Sequence, residues 1–166
     1  MSVTSVQKDP EALTMTIVSE FDSPVATVWQ MWADPRRLER WWGPPTYPAT
    51  MVDHDLTPGG RIHYFMTGPE GDRHHGWWEV TAVDAPNSLA YIDGFADDSG
   101  EPNPDMPTTN IAVTLDEKSG GGTRMAILTT FPSLETMEQM VEMGMEEGMR
   151  EAVGQIDALL LAESPV

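Results

Sequence analysis

Hydrophobic and polar residues alternate along most of the chain before its last thirty-odd positions. Segments with this period of two are typical of strands that bury one face. Turn motifs rich in glycine and proline, such as Pro58-Gly59-Gly60, separate the segments. Because most connections are short, neighbouring strands should pair antiparallel. Seven strands are predicted, over residues 13–21, 47–56, 61–66, 74–83, 88–95, 109–116 and 123–131. The longer connection at 96–108 is expected to be a surface loop that covers one end of the sheet.

Two short helices are predicted after the first of these strands. Ser23 and Pro24 suit the N-cap and first position of one helix, and Asp34 and Pro35 repeat this chemistry for the next. Tryptophan is costly to expose, so a concentration of it indicates either a packing hub or the rim of an apolar cavity. Four of the six tryptophans lie in this helical region, namely Trp29, Trp32, Trp41 and Trp42.

One long helix is predicted over residues 133–162, with Ser133 as its N-cap. Its apolar stripe contains Gly144, Gly148 and Ala152, which either allow close approach to the sheet or leave room for a ligand. The helix is also rich in methionine, which adapts to irregular apolar shapes and suits both a pocket wall and an ordinary core. These methionines are Met137, Met140, Met143, Met145 and Met149.

The order of elements predicts a single α+β domain over residues 1–166, with residues 1–10 as a loose terminus. A seven-stranded antiparallel sheet cannot bury one face without a cover, and the C-terminal helix is the predicted element long enough to provide it. We therefore expect a sheet curled around this helix, with the two short helices closing one end. This arrangement leaves a cavity between helix and sheet.

The charge of the chain restricts its partners. The formal net charge is -18, from 27 acidic and 9 basic residues, so neither nucleic acid nor an anionic membrane surface is an expected partner. The absence of cysteine excludes disulfides and thiolate metal sites. No apolar run approaches the ~18 residues of a transmembrane helix, and a cytoplasmic location is expected.

The four histidines are not expected to bind a metal. They fall on three successive predicted strands, where the phase of the pattern turns His63 outward and points His74 and His75 to opposite faces. A zinc site needs three or four ligands that converge on one point. Because no dinucleotide fingerprint is present either, no cofactor is expected.

Several short motifs occur in order over nearly the whole chain. Together they resemble the START-related helix-grip fold of the SRPBCC superfamily, shared with the birch-pollen-allergen-type proteins. The more specific resemblance is to the family named for the activator of heat-shock protein 90 ATPase, in its single-domain bacterial form. It implies a helix-grip fold but no single chemistry, because the family is functionally mixed. The matching residues are Ser23-Pro24-Val25, Val28-Trp29, Asp34-Pro35, Leu38, Trp41-Trp42-Gly43-Pro44, Asp55-Leu56, Pro58-Gly59-Gly60, Gly76, Trp78-Glu79-Val80, Leu89, Tyr91, Gly122-Thr123-Arg124, Gly144 and Gly148.

The leading functional hypothesis is binding of a small, mostly apolar molecule in the internal cavity. Its candidate lining residues are aromatic, methionine and isoleucine side chains at positions predicted to face inward. They are Trp41, Trp42, Tyr64, Met66, Trp78, Tyr91, Met125, Ile127, Met137 and Met145.

An enzymatic hypothesis rests on Asp93 and Tyr91, which share the inward phase of their predicted strand. A buried carboxyl beside a tyrosine could act as acid or base if its pKa is raised. The resemblance to helix-grip proteins implies a cyclase or hydrolase acting on an aromatic substrate.

The resemblance to the co-chaperone family also implies a third reading, a module that binds a chaperone through its acidic face. A homodimer is a further expectation, through an exposed tryptophan or a patch around Phe65.

Overall fold

The computed structural model describes residues 3–163. Its strands are β1 (Val3–Asp9), β2 (Thr14–Phe21), β3 (Ala49–His54), β4 (Arg61–Thr67), β5 (Arg73–Asp84), β6 (Ser88–Phe95), β7 (Thr108–Glu117) and β8 (Thr123–Thr130). They form one antiparallel sheet in the order β1-β2-β8-β7-β6-β5-β4-β3, so the second strand pairs with the last. This confirms the predicted α+β architecture and the antiparallel pairing.

The sheet has eight strands rather than the predicted seven. The additional strand is β1, in a segment that was predicted to be a loose terminus, and it pairs with β2, for example Val6 opposite Ile17. A register shift between Val3 and Ser5 interrupts the alternation of the strand, which hides it from a period-two pattern. The half-buried side chains of Val3 and Val6 pack against the core. The two short helices consequently follow the second strand and not the first.

The short helices are α1 (Val25–Ala33) and α2 (Pro35–Trp41). Asp34 caps α2 as predicted, since its carboxylate accepts a hydrogen bond from the backbone N–H of Arg36 at 2.9 Å. The predicted Ser23 cap of α1 is wrong, because Pro24 occupies the N-cap position and no side chain bonds the first turn. The Ser23 carbonyl instead accepts a hydrogen bond from the hydroxyl of Thr123 at 2.7 Å, which ties the start of α1 to β8.

The predicted long C-terminal helix is two helices, α3 (Leu134–Glu142) and α4 (Met145–Glu163). Ser133 caps α3 as expected, with its hydroxyl accepting from the N–H of Thr136 at 3.1 Å. Gly144 separates the helices in a left-handed conformation with φ of 92°, which only glycine adopts without strain. None of the helices in residues 3–163 has the length and apolar character needed to cross a membrane.

The two helices cover different parts of the sheet. The buried residues of α4, such as Val153 and Ile156, belong to the main core, whereas Met137 of α3 packs in a second cluster with Met15 and Phe131. The Gln155 amide fixes α4 on the end of α2 by donating to the carbonyls of Trp41 and Gly43, at 3.2 and 2.7 Å. The remaining buried residues of α4 are Ala152 and Leu160.

Gly148 has neither of the roles considered for it from the sequence. A Cβ placed on it would meet no atom within 4 Å, and it does not line the cavity described below. Of these two glycines, Gly144 is the one whose backbone conformation requires glycine.

Two alanine substitutions test this distinction. Gly144→Ala should lower the free energy of unfolding by about 1–2 kcal/mol, because a Cβ is strained at its positive φ. The matched change Gly148→Ala should raise it by about 0.4–1 kcal/mol, since alanine restricts the unfolded chain and meets open space in the helix. Urea unfolding of both variants measures these values. Equal effects at the two positions would contradict a helix break imposed at Gly144.

Candidate functional site

A cavity of about 340 Å³ lies between strands β4 to β7 and the junction of α3 with α4. We call it the methionine-lined cavity, because four methionines contribute to its wall. Met143, 64% exposed, and the exposed His74 place its opening at the protein surface. The lining residues are Tyr64, Met66, His74, His75, Gly76, Asp93, Gly94, Phe95, Thr109, Met140, Met143, Gly144 and Met145.

Asp93 and Tyr64 form a polar pair in this wall. The Tyr64 hydroxyl donates to Asp93 Oδ1 at 3.2 Å, across the intervening strand β5. Gly76 makes this contact possible, because a Cβ there would lie 2.4 Å from the end of the Tyr64 ring. The tyrosine therefore lies over the glycine and reaches the carboxylate on β6.

Burial raises the pKa of Asp93 to about 7, from an ordinary value of 3.8. The Tyr64 hydroxyl, the Gly94 N–H and the Trp78 indole oppose this effect, because they stabilise the charged form. The indole N–H of Trp78 has no hydrogen-bond partner among the described residues. Asp93 is thus a carboxyl that both gains and loses its proton near neutral pH.

The two tyrosines beside Asp93 remain protonated. Burial, followed by the nearby Asp93 carboxylate, raises the pKa of Tyr64 and of Tyr91 well above the usual range. The Tyr91 hydroxyl is buried and has no hydrogen-bond partner among residues 3–163. Its ring stacks on Trp78 with centroids 3.8 Å apart, which holds both side chains in place behind the cavity.

The tryptophans of the helical region form a filled core and not the rim of the cavity. Trp32 contacts Trp41 edge-to-face at 4.8 Å, and Trp42 meets Trp78 in the same way at 4.8 Å. The Trp41 indole also donates to the Met31 carbonyl at 2.8 Å. Both Trp41 and Trp42 are buried and neither lines the methionine-lined cavity.

Three of the ten residues predicted to line a ligand cavity lie on its wall: Tyr64, Met66 and Met145. The inward phase predicted for Asp93 also brings it to this wall. The other seven are buried in the packed core behind it, namely Trp41, Trp42, Trp78, Tyr91, Met125, Ile127 and Met137. The hollow is therefore displaced from beneath α4 toward the helix break.

Two residues of the wall that are not among the predicted lining residues could have been found from the strand pattern. Phe95 continues the inward phase of Tyr91 and Asp93, and Thr109 starts the inward phase of β7. Met140 and Met143 belong to the methionine-rich segment of the predicted helix, but their position in the wall depends on the break at Gly144. No sequence pattern marked Gly94, His74 or His75 as residues of the wall.

The histidines lie apart from one another except for one pair. The rings of His63 and His75 are stacked, with Nε2 of His63 3.0 Å from Nδ1 of His75. Burial and the nearby His75 lower the pKa of His63. His54 bonds the Trp32 carbonyl, and His74 bonds Asp72. Within residues 3–163, no cluster of three or more His, Asp or Glu side chains has the geometry of a metal site.

Comparison with known proteins assigns the family. A family model described as "Activator of Hsp90 ATPase homolog 1-like protein" matches residues 22–161. The chain belongs to this family. The assignment confirms the resemblance seen in its sequence motifs.

Solved structures of similar proteins share the whole fold of this family member. Protein Ms6760 from Mycobacterium smegmatis is 51% identical, with a TM-score of 0.89 over 98% of this chain and 99% of that one. A protein from Arthrobacter aurescens is 52% identical, with a TM-score of 0.92 over 98% of this chain and 94% of that one.

A more distant structure shares the fold alone. DynU16, from the dynemicin biosynthetic locus, is 19% identical, with a TM-score of 0.64 over 92% of this chain and 49% of that one. A search among curated proteins found no match.

The raised pKa of Asp93 predicts a pH dependence of stability. Between about pH 4 and pH 7 the folded chain keeps a proton that the unfolded chain has lost. The free energy of unfolding should therefore fall as pH rises through this window, by up to about 1.4 kcal/mol per pH unit, and level off above it. Asp93→Asn should remove this pH-dependent change in the free energy of unfolding.

Urea unfolding of the wild type and Asp93→Asn at several pH values measures the difference. The exposed Asp98→Asn is the matched control, since it removes a carboxyl outside the cavity. Parallel stability curves for wild type and Asp93→Asn would show that the Asp93 carboxyl is ordinarily solvated.

Proposed function

We propose that this protein binds a small, mostly apolar molecule in the methionine-lined cavity. The observation that carries the proposal is the contrast within the wall. Methionine and aromatic side chains surround one hydrogen-bonded carboxyl, the Asp93–Tyr64 pair. Ligand pockets commonly combine an apolar surface with a few polar groups that orient the ligand.

The size and composition of the cavity support this proposal. Its volume of about 340 Å³ lies at the lower end of the ~300–1,000 Å³ range of small-molecule sites. The thioethers of Met66, Met140, Met143 and Met145 are polarizable and change rotamer readily, so the wall can adapt to ligands of different outline. The filled tryptophan core behind the wall provides a firm floor.

Binding of a neutral fluorescent probe tests the proposal. N-phenyl-1-naphthylamine should bind the wild type with one-to-one stoichiometry and gain fluorescence in the cavity. Met140→Trp places a larger side chain at the wall and should weaken binding by about tenfold or more, because it fills the space the probe needs. Fluorescence titration measures both affinities.

Leu161→Trp is the matched control, because it adds the same side chain on α4 at a position that is 76% exposed. It should leave the affinity for the probe unchanged. Lack of saturable binding by the wild type, or equal weakening by both tryptophan variants, would reject the cavity as the site.

A second candidate function is proton transfer to and from a bound carbonyl compound. The observation that favours it is the Asp93 carboxyl, whose pKa of about 7 suits a general base at neutral pH. The Asp93 carboxylate would take a proton from the carbon next to the carbonyl, while the electron pair of that C–H bond moves onto the carbonyl oxygen to give an enolate. The resulting acid would exchange its proton with solvent and return a proton to the same carbon as the enolate reverts to the ketone. The Tyr64 hydroxyl, 3.2 Å from Asp93, would hold the carboxylate in position.

Exchange of hydrogen for deuterium in an aryl ketone tests this second candidate. In D₂O near neutral pD, the wild type should accelerate loss of the α-proton signal above the buffer rate. Asp93→Asn should return the rate to that of buffer, while the exposed Asp98→Asn should not change it. Proton NMR follows the exchange. A wild-type rate equal to the buffer rate would exclude the activity for this class of compound.

A further inference from the structure

We propose that the methionine-lined cavity selects apolar ligands that carry one ammonium group, which pairs with the Asp93 carboxylate. This inference rests on the proposed function and names the chemical class of its ligand. It follows from the distribution of charge around the cavity.

The cavity wall holds a carboxyl but no lysine or arginine among the residues described. The arginines of β4 and β5 lie on the opposite face of the sheet. The Arg73 guanidinium lies 4.5 Å from the centroid of the Phe65 ring, and that of Arg61 lies 5.7 Å from the Trp77 ring. An anionic ligand would therefore meet a carboxylate without a compensating basic side chain, whereas a cation would find a partner.

The hydrogen-bond donors that face Asp93 stabilise its ionised form, and a bound cation would stabilise this form further. Tyr64 on β4 donates a hydrogen bond to it, and the Gly94 N–H and Trp78 indole also stabilise its negative charge. The other titratable neighbours are Tyr91 on β6, and His74 and His75 on β5. His74 is exposed and bonded to Asp72, and His75 contacts His63. The residues that α3 and α4 contribute to the wall are uncharged, and the Glu147 carboxylate of α4 lies beside Gly144.

The rest of the wall is compatible with an ammonium on an apolar body. Aromatic rings attract cations through their negative faces, and Tyr64 and Phe95 both line the cavity. The methionine thioethers accept the apolar part of the ligand. Beyond the wall, the net charge of -18 raises the local concentration of cations and lowers that of anions.

A matched ligand series tests the inference. The series comprises 4-phenylbutylamine, 4-phenylbutan-1-ol and 4-phenylbutyrate, which share one apolar body and differ in the charge of the end group. By competition with N-phenyl-1-naphthylamine at pH 7, the amine should bind the wild type about tenfold or more tighter than the alcohol, and the carboxylate should bind most weakly. Calorimetry in two buffers should also detect release of about half a proton per amine bound, as Asp93 ionises.

Asp93→Asn should bring the affinities of amine and alcohol together, while Asp98→Asn should keep them apart. The Asp98 variant removes the same charge from the exposed surface and so controls for the overall field. An alcohol that binds the wild type as tightly as the amine would overturn the inference, and this comparison needs no variant. A preference for the amine that survives Asp93→Asn would also overturn it.

The same experiment separates this inference from the proposed function. If the neutral probe and the alcohol bind but the amine has no advantage, the cavity is a ligand site and only the ammonium selectivity fails. If neither the probe nor any of the three ligands binds, both proposals fail.

Discussion

Close packing of aromatic rings between the short helices and the sheet is the interaction on which the rest of the structure depends. The ring of Trp32 packs against four other aromatic rings, with centroid distances of 4.8 to 6.4 Å. These rings belong to Trp41, Trp42, Trp78 and Tyr91. These residues come from α1, the end of α2 and the residue after it, β5 and β6, so one cluster joins elements far apart in the chain. Large aromatic side chains bury much surface with few rotatable bonds, which makes such a cluster rigid.

This rigid cluster determines where open space can occur. It fills the region beneath α4, where the Gln155 amide also bonds the end of α2. The cavity lies away from this cluster, next to Gly144, where the helical conformation of the chain is interrupted. Adaptable methionines surround the space there, instead of tryptophans. The fold thus has a closely packed half, which holds the aromatic cluster, and a half that contains the methionine-lined cavity.

Asp93 lies at the boundary between these halves. It shares its strand face with Tyr91, whose ring is stacked in the aromatic cluster, but its carboxylate reaches the cavity. The packed half therefore excludes water from Asp93 and raises its pKa, while the carboxylate itself lines the cavity. A carboxyl with its pKa raised in this way lowers the stability of the fold at neutral pH, and we relate it to the proposed recognition of a ligand.

The sequence alone determined the features that depend on neighbouring residues. The Asp34 and Ser133 caps follow from local hydrogen bonding, and the inward phase of Leu89, Tyr91 and Asp93 follows from the alternation of a strand. The motifs also identified the family correctly. Sequence reasoning was weaker at Ser23, whose carbonyl is engaged by Thr123, a residue 100 positions away.

Only the tertiary structure decided the pairing of β1, the break at Gly144 and the position of the cavity. A strand with an irregular register has no clear period, and a glycine within a helical pattern is compatible with both a continuous and a broken helix. The location of the cavity depends on which side chains fill the interior, and the pKa of Asp93 depends on how many of them exclude water from it. Both are set by contacts among distant segments, which local patterns do not contain.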